Sequence, residues 1–208
     1  MRGAIILAGG PSRRLGRTKA LIRIGSSTLI ERVSRAARTV VDEVVVVSRG
    51  TVAEAIQAEA PEVRVIRERA RIQTPLVGLR AGARALHADR VAALGCDLPF
   101  LRPRLLDRLF REARNVDAAI PRWPDGTVEP LVAVYRRVSL LAATEAALVA
   151  RGRSNQAMIG RLRRVRYVPV DALRRFDRDL RSFVNVNTPG DLARARRLMR
   201  SGARPRTR

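Results

Sequence analysis

The feature that most constrains this chain is a rhythm. Over its first 121 residues, short continuous apolar runs alternate with segments of helical period. Residues 4–7, 43–48, 63–67, 91–96 and 118–121 read as buried strands, the second containing four consecutive valines. Residues 28–40, 52–60, 76–87 and 103–114 read as the helices between them. Thr28 and Glu31 have capping-box spacing, Pro61 stops one helix, and Pro103 stands where the first helical turn favours proline. Strands that are apolar on both faces and linked by helices specify a parallel sheet covered on both sides. The expected class is α/β, in three layers, with a mostly parallel central sheet.

The rhythm weakens after Pro121. Arg122-Trp123-Pro124-Asp125-Gly126 reads as a turn, the tip of a hairpin whose second arm is 131–135. Helical pattern returns at 139–150 and 155–162, and 165–170 reads as a strand. Thr188-Pro189-Gly190-Asp191 caps a terminal helix running to about Arg200. Residues 1–200 are expected to form one domain, and 201–208 a basic, disordered tail. With one cysteine, Cys96, no internal disulfide is possible. The absence of a leader pattern and of a long apolar span suggests a soluble cytosolic protein.

In open sheets of this kind ligands sit beyond the carboxyl ends of the strands. The loops 8–19, 68–75 and 97–100 should therefore converge on one crevice. The first reads Leu7-Ala8-Gly9-Gly10-Pro11-Ser12-Arg13-Arg14-Leu15-Gly16-Arg17-Thr18-Lys19. It is neither a Walker loop nor a dinucleotide fingerprint. Bare glycine backbone plus Arg13, Arg14 and Lys19 nonetheless makes an anion cradle. Of the 42 basic residues, Lys19 alone is lysine. Lysine is a compact point charge, whereas arginine is a planar fork. The alternative reading is a structural Gly-Gly turn with solvent-facing arginines.

Asp97, in Gly95-Cys96-Asp97-Leu98-Pro99, ends an apolar strand, where a carboxylate is costly without a partner. Facing a phosphate crevice, its natural partner is Mg²⁺; otherwise it caps a turn ahead of Pro99. Thr74-Pro75-Leu76-Val77-Gly78 runs from loop into helix, and its amides could face a base or a phosphate. In Phe183-Val184-Asn185-Val186-Asn187, alternation along a strand places Asn185 and Asn187 on one face. His87 reads as a helix-end surface residue and Cys96 as packing. No Ser–His pair or Cys/His cluster is present, and phosphoryl or nucleotidyl transfer needs neither, being largely positioning and charge stabilisation.

A net charge of +23 admits a nucleic-acid partner. Against that, arginines are spread along the whole chain and aromatics make up only 3%. A positive field also draws in anionic nucleotides.

Taken in order, the first loop through Lys19, the Thr-Pro-Leu-Val-Gly segment, Cys96-Asp97-Leu98-Pro99 and Asn185-Val186-Asn187-Thr188-Pro189 resemble the nucleotidyltransferases typified by molybdenum cofactor guanylyltransferase. The resemblance spans about residues 3 to 200. It implies a Rossmann-like nucleotidyltransferase fold and Mg²⁺-dependent transfer of GMP from GTP to molybdopterin. By position it implies that Leu7, Ala8, Gly9 and Gly10 contact the guanine nucleotide. Lys19 would hold the triphosphate, with Arg14 assisting catalysis, and Asp97 would ligate the metal. Gly78 would line the base pocket, and Asn185 and Asn187 would face the pterin. Glu68 is the nearest counterpart of a nucleotide-contacting aspartate, and Ser48 of an asparagine after the second strand. Transient contact with molybdoenzymes is a further implication. A CTP-using relative with another phosphorylated acceptor is the near alternative, and a basic nucleic-acid-binding module the distant one.

Overall fold

The structure is a computed structural model that describes residues 1–9, 18–68 and 72–202. The first half of the chain builds the strands β1 (Arg2–Leu7), β4 (Glu43–Arg49), β5 (Arg64–Glu68) and β6 (Arg90–Gly95). A small antiparallel pair, β2 (Arg23–Ile24) and β3 (Ser27–Thr28), lies between β1 and β4 in sequence. The second half adds β7 (Ala118–Arg122), β8 (Val132–Arg136) and β9 (Val165–Pro169). The main sheet has seven strands in the order β5-β4-β1-β6-β8-β7-β9. β8 alone runs against its neighbours, so the sheet is mostly parallel, as expected.

Helices cover both faces. On one side, α1 (Leu29–Arg38), α2 (Gly50–Glu59), α4 (Pro103–Glu112) and the short α7 (Val170–Leu173) pack against Ala4, Ile6, Val44 and Val46. On the other, α3 (Pro75–Ala85), α5 (Arg137–Val149) and α6 (Asn155–Ile159) pack against Ile5, Val45, Val47 and Ala93. The valine run feeds both cores because successive side chains alternate faces. The capping box at α1 is present: Thr28 accepts from the Glu31 amide, and the Glu31 carboxylate accepts from Thr28 N.

Helix α3 lies unusually close to β1. A methyl at Gly82 would stand 2.5 Å from Ile5 Cγ2, and one at Gly78 would stand 2.8 Å from Leu7 Cδ2. Two glycines one turn apart let the helix settle on the strand and bring its N-terminus to the strand's carboxyl end.

Three expectations need correction. Residues 183–187 form no strand: a 3-10 turn, Arg181–Phe183, leads into irregular backbone. The amides of Asn187 and Thr188 are taken by the Asp191 carboxylate, and that of Val186 by the Asp97 carbonyl. That cap opens α8 (Pro189–Gly202), which packs through Ala195 against Ile22 and Ile24. α8 also carries Ser201 and Gly202, assigned above to the tail, because Ser201 Oγ bonds back to the Leu198 carbonyl; residues 203–208 lie outside the described part. Finally, Ser48 does not follow β4 but lies within it, fully buried, donating to the Ala8 carbonyl at 3.2 Å. No helix among the described residues is long and apolar enough to cross a membrane.

Candidate active site

The carboxyl ends of β1, β4, β5 and β6 share one edge of the sheet, and a cleft of about 460 Å³ opens there. Its size suits a nucleotide-sized ligand. Leu7, Ala8 and Gly9 form part of its lining, with Lys19, Glu68, Thr74, Pro75, Gly78 and Asp97. The loops after the first, third and fourth strands of the parallel half therefore do converge. Ala8 is fixed between strands: its amide donates to Val47 and its carbonyl accepts from Ser48. Gly10, Arg13 and Arg14 fall outside the described residues.

One end of the cleft is organised around Lys19. Its ammonium donates to Asp97 Oδ2 at 2.8 Å and to Asn187 Oδ1. The Lys19 and Asp97 side chains are 19% and 21% exposed, enough for a ligand to reach both. Three separate segments meet in this triad, and the backbone pins two of them together, since Val186 N donates to the Asp97 carbonyl at 3.0 Å. Gly95 supports the arrangement, because a methyl there would collide with Asp97 Oδ1. Thus Asn187 reaches the site. Asn185 is exposed, and among the described residues it makes no hydrogen bond to the rest of the site.

The other end is organised around Glu68. Its side chain is 8% exposed, and Oε1 lies 3.3 Å from Arg49 Nε. The pairing is ionic, without an aligned hydrogen bond to that oxygen. Burial pushes the Glu68 carboxyl above its ordinary value, with Arg49 and Arg80 opposing. A buried acceptor atom without an aligned donor is uncommon and leaves room for one from a ligand. Gly78 stands beside it, its absent methyl 3.5 Å from Glu68 Oε2. Thr74 caps α3 by accepting from Leu76 N, and its hydroxyl donates to the Arg153 carbonyl.

Arg49, Gln73 and Leu131 also line the cleft and were missed by sequence reasoning. Arg49 was findable, since it stands two residues beyond the valine run and period-two alternation turns it, like Val47, toward the cleft rather than Ser48. Leu131 had no local signal: its carbonyl meets Gly95 N only because β8 pairs with β6. His87 is exposed, as expected, and the buried Cys96 thiol is pushed up to about 12, chiefly by burial, which keeps it inert.

Among the described residues no group of three or more His, Cys, Asp or Glu is placed to hold a metal. The single carboxylate of Asp97 beside an amide oxygen still matches Mg²⁺, which takes one or two carboxylates and completes its shell with phosphate and water. Exposed arginines lie on both helical layers and at both sheet edges, among them Arg35, Arg64, Arg84, Arg104 and Arg166. That even spread does not resemble a nucleic-acid footprint.

Residues 4–165 match the family described as the MobA-like NTP transferase domain. A probable molybdenum cofactor guanylyltransferase of Methanosarcina mazei is 36% identical over 198 residues, covering 92% of this chain and 88% of that relative. Its counterpart in Methanosarcina acetivorans is 34% identical over 201 residues, again covering 92% and 88%. The crystal structure of molybdopterin-guanine dinucleotide biosynthesis protein A from Archaeoglobus fulgidus superposes with a TM-score of 0.82 at 30% identity, covering 97% of this chain and all of that one.

Proposed function

For a chain that belongs to the MobA-like NTP transferase family, and so to the nucleotidyltransferases, we propose transfer of GMP from GTP to molybdopterin, releasing pyrophosphate and forming the guanine dinucleotide of the cofactor. The observation that carries this reading is the convergence of Lys19, Asp97 and Asn187 at one end of a nucleotide-sized cleft whose other end holds a buried carboxylate.

The base lies toward Glu68 and Gly78. A carboxylate only accepts hydrogen bonds, which suits the N1–H and 2-amino donors of guanine. The triphosphate runs toward Lys19, whose point charge offsets the negative charge that builds on the phosphates. A phosphate oxygen of the acceptor attacks the α-phosphorus, a P–O bond forms in line, and the bond to pyrophosphate breaks. The nucleophile is already ionised, so no general base is needed, in keeping with a cleft that holds no histidine. Asp97 would hold Mg²⁺, which supplies further charge neutralisation at the phosphates. Asn187, held by Lys19, links the phosphate end to the segment that carries Asn185 and so to the acceptor side.

Purified protein incubated with molybdopterin, Mg²⁺ and each α-labelled NTP in turn tests the reading. Label should reach the pterin from GTP and fail to do so when Mg²⁺ is chelated. Transfer from CTP but not GTP would replace the guanylyl assignment, and transfer undiminished by chelation would remove the metal.

A further inference from the structure

Outside the cleft, one carboxylate is placed with unusual care. β6 and β8 pair antiparallel with Leu94 opposite Val132, and the ladder continues as Gly95 N donates to the Leu131 carbonyl. Both strands end there, β6 at Gly95 and β8 at Val132, and in the turns beyond them Glu129 comes close enough to Asp97 for the two charges to interact. Glu129 itself is not part of the lining of the nucleotide cleft.

Its backbone is clamped on both sides: Glu129 N donates to Pro121 O, and its carbonyl accepts from Val132 N. Its side chain is half-buried, and Oε1 accepts from the Trp123 indole at 2.8 Å. In a chain of net charge +23, no cation among the described residues forms an ion pair with it. Trp123 in turn meets Phe183 edge to face at 5.6 Å, in a protein with only seven aromatic residues. Phe183 leads directly into the segment of Asn185 and Asn187. Carboxylate, indole and phenyl ring thus stand one against the next, and the chain runs on from the ring to Asn187, which reaches Lys19 beside Asp97.

We propose that Glu129, oriented by Trp123, reads the aminopyrimidinone edge of the pterin acceptor. That edge presents two adjacent donors, N3–H and the 2-amino group, and a carboxylate is the side chain that accepts from both. A half-buried carboxylate whose one side-chain partner among the described residues is the Trp123 indole is costly, and a ligand offering paired donors relieves it. The assignment rests on the pterin acceptor proposed above.

Trp123 is the only tryptophan, so its fluorescence reports on this cluster directly. Wild-type protein is titrated with 6-hydroxymethylpterin and with the analogue in which an oxo group replaces the 2-amino group. The pterin should quench Trp123 saturably and bind at least roughly tenfold tighter than the analogue. Glu129→Gln should weaken pterin binding by roughly ten- to a hundredfold and abolish that preference, since a hydrogen bond to a charged group is lost. GTP affinity should be unchanged. Trp123→Phe, which keeps the ring but loses the indole donor, should raise the acceptor KM several-fold with kcat near wild type. Unaltered pterin affinity in Glu129→Gln, or equal binding of the two compounds to wild type, overturns the assignment. GMP transfer to molybdopterin is followed separately. Its absence in wild type overturns the functional reading itself, whereas transfer by Glu129→Gln with an unchanged acceptor KM removes Glu129 alone.

Discussion

The two ends of the cleft each hold a cation paired with a carboxylate, but the pairs are built for different work. At the phosphate end, Lys19 bonds Asp97 at 2.8 Å and also holds Asn187, and all three come from segments far apart in sequence. At the base end, Arg49 approaches Glu68 at 3.3 Å, and both residues end adjacent strands of one parallel pair. A point charge that two oxygens share is suited to being redirected when phosphates arrive. A fork beside a buried carboxylate is suited to a fixed shape. The contrast suggests that turnover depends on the first pair and nucleotide fit on the second.

The largest expected effect tests whether the phosphate end depends on where its carboxylate stands as well as on its charge. Asp97→Asn should reduce kcat/KM by roughly a hundred- to a thousandfold, the scale of losing a group that stabilises transition-state charge. Gly95→Ala should approach the same loss while leaving Asp97 in place, because the new methyl displaces Oδ1. Both variants should keep a melting temperature close to wild type, since the displaced group is the end of one side chain at a strand terminus. A Gly95→Ala enzyme with wild-type turnover would show that the Asp97 position is not critical.

A reciprocal exchange of cations sharpens the comparison. Lys19→Arg should lower kcat by roughly tenfold or more with melting unchanged, because a guanidinium fork cannot take the place of one ammonium between Asp97 and Asn187. Arg49→Lys should leave kcat nearly intact and raise the nucleotide KM a few-fold. Its stem also matters, as Arg49 Cγ would lie 3.4 Å from a methyl at Gly9. If both exchanges alter KM alone, the two ends do not divide their labour as argued.

The same contrast separates what could be read in the sequence from what could not. The base end belongs to the parallel half, where continuous apolar runs and caps such as Thr28 announce each element. The loops after strand ends there bring Ala8 and Glu68 to the crevice by a general rule of open sheets, whereas Leu7 and Gly78 came from the resemblance. The acceptor side was less legible. Asn187 reaches Lys19 through an irregular segment whose alternation imitates a strand, although Val186 alone bonds across, to Asp97 O. Glu129 gave no signal because it stands in the turn ahead of β8, and its contacts with Trp123 and Pro121 leave no local periodicity. Arg49 was legible in principle and was overlooked in favour of Ser48, one residue earlier and on the opposite face.

The smallest expected effect concerns pH. Burial raises the Glu68 carboxyl above its ordinary 4.5 in the folded protein. A raised acid favours folding fully below that ordinary value, and the contribution is lost as pH rises through the folded one. Wild type should therefore lose ground to Glu68→Gln as pH climbs from 4 to 8. The melting temperature of wild type relative to Glu68→Gln should fall steadily over that range. The same variant should bind GTP more weakly, since on the proposed orientation the amide would replace an acceptor-only group facing guanine donors. A gap independent of pH would mean that Arg49 already compensates the burial of Glu68. The base-end pair would then be as fully neutralised as its counterpart at the phosphate end, and nucleotide fit would have to come from the glycines and the shape of the cleft rather than from a carboxylate waiting for a donor.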